Sequence, residues 1–269
     1  MEKIEKLLAT YNKLRISEAI DFSKFNEYAI VHHSSGIEGS TLTETDTELL
    51  LSGGITPKGK PLEHTLMVKD HYAALTFVLE NAKKKIILSS QYIQKINSIV
   101  MQSTGAIKQT VFGEIDERKG EFRKGNVSAG GSYFVNYDNV VPYTTKLVDT
   151  LNTNIKNAST IAQRFELSFI AHFDLVNIHP FYDGNGRTSR LLMNHIQRHF
   201  GIPLTIVYKE DKSDYIQSLK DSRTKENTTP FKEFMFHQLN KQLTTEVELY
   251  KNKMVIKEKK KGRGYSMFF

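Results

Sequence analysis

The stretch His179-Pro180-Phe181-Tyr182-Asp183-Gly184-Asn185-Gly186-Arg187-Thr188-Ser189-Arg190 decides how the rest of the chain is read. A long apolar run precedes it and a second periodic run follows, so it reads as a loop between two helices. Gly184 and Gly186 allow close approach of the backbone to a ligand. Arg187 is expected to open a helix whose free amides, with those of the loop, form an anion site. Arg187 and Arg190 stand three residues apart and are expected to lean over one face. His179 supplies a base and Asp183 a hard oxygen ligand for Mg²⁺. Together these groups describe a site for a nucleoside triphosphate.

Outward from this stretch, Ser159 to Ile178 is apolar nearly all round, with Ile161, Phe165, Phe169, Phe173 and Val176 on one line. Such a helix belongs in the middle of a bundle. It would deliver His179 from a rigid place. Downstream, Leu191, Leu192, His195, Ile196 and His199 continue a helix to Phe200. His195 and His199 have metal-ligand spacing, but Ile196 stands where a zincin has Glu, so a packed face is expected. Helices are expected over about 213–222 and 229–250. Upstream, an amphipathic helix carries Ile4, Leu7, Leu8, Tyr11 and Leu14. A second runs from Ser17 to His33, and Thr41 to Glu44 has capping-box spacing for a third through Leu51. Further helices are expected over about 66–84, 90–103 and 140–157. His64 and His71 have no metal partners in the pattern and are read as structural.

Two stretches break the helical rhythm. Gly54 to Lys60 has the spacing of a phosphate-binding P-loop, but Pro61 stands where Ser or Thr would hold Mg²⁺. It is read as a surface connection. From Gly113 to Val135, Gly120, Gly125, Gly130 and Gly131 punctuate short segments, including Glu121-Phe122-Arg123 and Tyr133-Phe134-Val135. These suggest a small β-hairpin.

The chain has 269 residues, no Cys, no Trp and a net charge of +7. No run reaches the length of a membrane span, no signal peptide is recognisable, and a soluble, cytoplasmic protein is expected. Part of the basic excess lies in Lys257-Glu258-Lys259-Lys260-Lys261-Gly262-Arg263, read as a solvated tail rather than a nucleic-acid grip.

The pattern His-x-Phe-x-Asp-Gly-Asn-Gly-Arg-x-x-Arg, complete at His179 to Arg190, resembles the signature of Fic-domain proteins. The resemblance implies an all-α helical bundle with a small β-hairpin flap beside the active site, and transfer of AMP from ATP to protein hydroxyls. His179 would be the base and Asp183 the ligand for Mg²⁺ or Mn²⁺. Gly184, Asn185 and Gly186 would stabilise phosphate charge, while Arg187 and Arg190 bind the β/γ end. Phe181 would anchor the loop, and Tyr215 would stack on adenine. The flap, including Tyr133, Phe134 and Val135, would receive the target segment by strand pairing.

Ser34-x-x-x-Glu38-Gly39 matches the inhibitory pattern of self-inhibited Fic proteins, in which Glu38 would pair with Arg190 and exclude the γ-phosphate. In some relatives the same Glu also serves removal of AMP. The expected organisation is an N-terminal helical region, 1–106, a catalytic core, 107–250, and a basic tail, 251–269. Expected partners are a protein target with an accessible Tyr, Thr or Ser hydroxyl and ATP. A homodimer is admitted; membrane and nucleic acid are not expected. The rival readings are transfer of another phosphate-containing group and a non-enzymatic nucleotide-sensing regulator.

Overall fold

The computed structural model describes the backbone of residues 2–16, 20–129 and 131–261, with side chains over 3–16, 24–129 and 131–252. In chain order its elements are α1 (Glu2–Lys13), α2 (Ile20–Ile37), α3 (Glu44–Gly53), α4 (Leu62–Lys83) and α5 (Ser90–Val100). Two hairpins follow: β1 (Ile107–Thr110) with β2 (Gly113–Asp116), and β3 (Ser128–Ala129) with β4 (Ser132–Tyr133). The chain then runs through α6 (Val140–Asn157), α7 (Ile161–Ile178), α8 (Asn185–His199), α9 (Lys212–Thr224) and α10 (Thr229–Lys261). The expected helical bundle with a small hairpin is what forms.

Local chemistry explains the helix starts. Thr160 caps α7 in a full capping box with Gln163, and the Ser89 side chain accepts from the Tyr92 amide to start α5. The box before α3 is Thr43 with Asp46, not Thr41 with Glu44. Thr41 instead bonds His64 and, through its carbonyl, Lys60, which pins the 54–60 connection to the surface.

Two apolar clusters fill the bundle. One joins α2 through α8, around Val68, Leu75, Ile93, Ile96, Leu175 and Leu192. The other joins α1, α7, α9 and α10 around Phe165, Phe169, Tyr215, Phe231 and Leu239. The helix α7 contributes to both clusters, as expected of a mid-bundle helix, and α8 shares that place: it packs against both α4 and α7, and Arg187 to Gln197 are all buried. Its polar side chains find partners there. Gln197 bonds Ser168 and Thr205, and His195 shares a 2.8 Å bond with the Tyr92 hydroxyl. The packed-face reading of His195 therefore holds.

Other expectations need correction. The second helix runs on through Ser34, Ser35 and Gly36 to Ile37, so the Ser34–Glu38 pair spans its last turn. Its expected start at Ser17, and Gly130 of the hairpin, lie outside the described residues. Glu121-Phe122-Arg123 forms no strand, because the Arg123 amide donates to the Pro180 carbonyl and Phe122 packs on Phe181. Of Tyr133-Phe134-Val135 only Tyr133 is in a strand, in register with Ser128. The β1–β2 hairpin was not anticipated: its turn is Val111-Phe112, both exposed, where turn chemistry calls for Gly or Asn. The last helix continues past Tyr250 to Lys261. The side chains of the basic tail, and everything from Gly262 on, lie outside the described residues.

Candidate active site

His179 ends α7 in the left-handed conformation, φ 50°, which turns the chain sharply into the loop. Its Nδ1 lies 3.4 Å from the Val176 carbonyl, which favours the tautomer protonated there and leaves Nε2 with its lone pair free. The Phe134 ring stacks on the imidazole, centroids 3.8 Å apart and 15° between planes. Burial lowers the imidazole pKa to about 4; the Arg123 and Arg223 charges add to this, against the Val176 carbonyl and Glu38. The imidazole is thus neutral over the physiological range.

After the turn, Phe181 is fully buried and fixes the loop in the core. The Asn185 side-chain amide brackets Phe181, accepting from its N–H at 3.0 Å and donating to its carbonyl at 2.9 Å. Asn185 in this arrangement braces the loop. Gly184, φ 76°, is the N-cap of α8 and no side chain caps that helix. The first amides of α8 therefore keep free donors facing the pocket. A Cβ on Gly184 would come 2.7 Å from Asn97 Nδ2, the group that donates to the Asp183 carbonyl and to Thr188 Oγ1. Asn97 was missed from sequence, since an isolated Asn on a helix carries no pattern.

The two arginines do not share a face. Arg187 is turned toward α5, with Nη1 3.4 Å from the Val100 carbonyl and Nη2 3.3 Å from Met101 Sδ. Its closest acid is Asp183, at 3.7 Å. Arg190 turns the other way, toward α2. Its Nε donates to Ser34 Oγ at 2.7 Å, and Nη2 donates to the Ser34 carbonyl at 3.1 Å and to Glu38 Oε1 at 2.6 Å. On the far side Nη1 reaches the Tyr215 hydroxyl at 3.4 Å. The arginines stand three positions apart on the helix, yet the core on one side and the pocket on the other claim one each.

Glu38 occupies more than the guanidinium. A Cβ on Gly186 would lie 2.5 Å from Glu38 Oε1, so the carboxylate sits against the backbone that opens α8. Burial alone would raise this carboxyl, but Arg190, with Arg187 and Lys212 further off, holds it below the usual carboxylate range. Gly39, φ 104°, ends the helix immediately after it. Ser34 and Glu38 thus both bond Arg190, and Gly39 follows them in the turn.

Ile37, Glu38, Gly186, Arg190, His179, Phe134 and Arg223 line one pocket of about 240 Å³. Ala129 and Ser132 of the β3–β4 hairpin close its side. Tyr215 lines the pocket but is buried, and its hydroxyl also bonds His172 at 3.0 Å. Its evident task is to support Arg190. Asp183 has a side chain 62% exposed, and among the described residues no three His, Asp or Glu gather as a metal cage. One exposed carboxylate beside an anion cradle fits a divalent ion shared with phosphates.

Residues 87–197 match the Fic/DOC family. That segment, from α5 through most of α8, is similar to a Fic domain. Over 191 residues it is 30% identical to "Protein adenylyltransferase Fic" of Drosophila willistoni, an alignment covering 71% of this chain and 36% of the relative. The chain thus spans about a third of the length of the curated relatives it matches. The fold is shared with a Fic domain containing signaling protein from Bacteroides thetaiotaomicron, TM-score 0.79 and 24% identity, covering 93% of this chain and 98% of the other. It is shared too with Fic-1 from C. elegans, TM-score 0.76 and 23% identity, covering 94% and 73%. The matched segment begins just before α5, and Glu38, which follows the last residue of α2, lies outside it.

Proposed function

We propose that this Fic domain transfers AMP from ATP to a Tyr, Thr or Ser hydroxyl of a target protein, and to itself, and that Glu38 holds it in a self-inhibited state. The observation that carries the reading is the single pocket joining His179, the uncapped start of α8 and Arg190. The incoming hydroxyl oxygen attacks the α-phosphorus as Nε2 of His179 takes its proton. Pyrophosphate leaves in line. The amides around Gly184 and Gly186 stabilise charge on the phosphate oxygens, and Arg190 holds the γ end once released. Arg187, directed at Asp183, contributes its charge from behind the loop. Asp183 would hold Mg²⁺ or Mn²⁺, which supplies charge neutralisation at the phosphates. The hairpin carrying Tyr133, Phe134 and Val135 presents the target segment beside the base.

Inhibition follows from where the Glu38 carboxylate lies: on the guanidinium and against Gly186, an anion already seated in the anion site. A triphosphate entering there meets a like charge and a spoken-for arginine. In this reading 1–106 is the inhibitory region, 107–250 the catalytic core and 251–269 a tail, in a cytoplasmic protein. In the same reading Glu38 would orient water for removal of AMP.

The test is incubation with ATP labelled at the α- or the γ-phosphate, wild type beside Glu38→Gly. Label should pass to protein from the α position alone, and more in the variant. Label arriving from the γ position would replace AMP transfer with phosphoryl transfer.

A further inference from the structure

Arg123 is a buried cation, 2% exposed, and among the described residues no carboxylate pairs with it. Its acceptors are carbonyl oxygens drawn from two separate parts of the fold. Nε donates to the His179 carbonyl at 2.7 Å, and Nη2 reaches the Ile178 carbonyl at 3.4 Å. These groups end α7, where helix carbonyls are unmatched and the helix dipole is negative. Nη1 donates to the Gly125 carbonyl at 2.7 Å, and Nη2 also donates to the Val135 carbonyl. Gly125 leads into the β3–β4 hairpin and Val135 leads out of it. The Arg123 main chain joins in, its amide donating to the Pro180 carbonyl at 2.9 Å.

We infer that Arg123 is a positioning residue, whose fork clasps both ends of the flap to the carbonyls that carry the catalytic histidine. The inference rests on the proposed transfer reaction for its functional meaning, though not for its geometry. A planar guanidinium reaches acceptors on two sides at once, which an ammonium on a flexible stem does not. Through the clasp the flap is registered to the base: Phe134, one residue before Val135, then stacks on the His179 ring. A target strand paired to this hairpin is thereby set at a fixed distance from Nε2. Arg123 touches neither substrate nor the reacting atoms, and it acts through the backbone of its neighbours.

The test uses Arg123→Lys and Arg123→Gln in the full chain, each also in the Glu38→Gly background. Three readouts are taken besides melting temperature: hydrogen exchange of residues 126–134, the NMR titration of the His179 ring, and self-modification with α-labelled ATP. The charged groups facing that ring are Arg123, Arg223 and Glu38, so Lys, which keeps the charge, separates loss of the clasp from loss of a cation. In both variants flap exchange should quicken on the order of 10-fold and transfer should fall on the order of 10- to 100-fold. The ring pKa should climb from about 4 toward 6.5 as the Phe134 stack opens, further in Gln than in Lys. Where Gln does not fold, the Lys variant decides. A lowered melting temperature with flap exchange and ring titration unchanged would make Arg123 a structural residue only and overturn the inference. Exchange and titration that respond in a background transferring no AMP would support the clasp while removing the transfer reading.

Discussion

His179 makes a turn, and in the proposed reaction it is also the base. Its φ of 50° is a conformation that Asn tolerates better than Ala. His179→Asn is therefore the cleaner probe, and should lower transfer by about 10²–10⁴-fold with little change in melting temperature. Because burial lowers the imidazole pKa to about 4, the base remains deprotonated down to that pH. The acid limb of kcat/KM, which reports the free enzyme, should accordingly fall near 4 rather than 6.5; a limb near 6.5 would mean an exposed ring. At Arg190 the contributions are separable by residue. Glu38→Gly should accelerate self-modification, and Arg190→Ala should abolish that gain, since the freed guanidinium is what activation uses. Ser34→Ala removes one bond to Nε but leaves the Ser34 carbonyl and Glu38 in place, so its rise should be smaller. The measurement is the initial rate of self-modification with α-labelled ATP across the four proteins. Equal rates in wild type and Glu38→Gly would end the self-inhibition reading.

At the scale of elements, the flap region hangs on how its entry turn is packed. Gly120 has φ 65°, and a Cβ there would lie 2.0 Å from the Gln94 carbonyl of α5. Gly131, in the turn between β3 and β4, has φ 76° and open space around it. Both positions penalise a side chain for its backbone conformation, by about 1–2 kcal/mol. Only the first also drives atoms together. Gly120→Ala should therefore lose more than about 3 kcal/mol of stability, and Gly131→Ala about 1, in denaturant titrations. Equal losses would show that the 117–120 turn yields away from α5 at little cost. Gly120 lies three residues before Arg123, so its displacement reaches the flap as well.

Across the whole molecule, the first and last helices meet over a buried acid. Glu246 of α10 is 4% exposed; its Oε1 accepts from Gln242 at 2.7 Å, while Oε2 has no partner. Burial raises its pKa from 4.5 to about 7, against the hydrogen bonds of Gln242 and Asn26. A carboxyl whose folded pKa lies above the unfolded one binds the proton more tightly when folded. Stability should thus decline as pH rises from 4.5 to about 7, then level off, by about 3 kcal/mol in all. Glu246→Gln should flatten that slope and gain on wild type as pH rises, which melting temperatures across this range would record. A constant difference between the two proteins would show that Glu246 is solvated.

The sequence by itself determined the helices, the loop and the identity of the chemical groups, because these rest on local rules. The glycines at 184 and 186, the complete motif from His179 to Arg190, and the Ser34–Glu38 spacing are short-range facts that a linear reading captures. Tertiary structure decided which way those groups face. Spacing alone put Arg187 and Arg190 together, but α8 lies inside the bundle, so each arginine follows the neighbour it meets, α5 or α2. The central place of α8 was itself hidden, since its buried Thr188, His195 and Gln197 look polar until distant partners satisfy them. Arg123 looked like part of a strand because its carbonyl acceptors, up to 56 residues away, leave no mark on the local pattern. Seating Glu38 on Gly186 likewise joins residues that only the packing of α2 on α8 brings into contact. Hydrogen bonds between distant segments depend on loop closure and burial, which a periodic pattern does not encode.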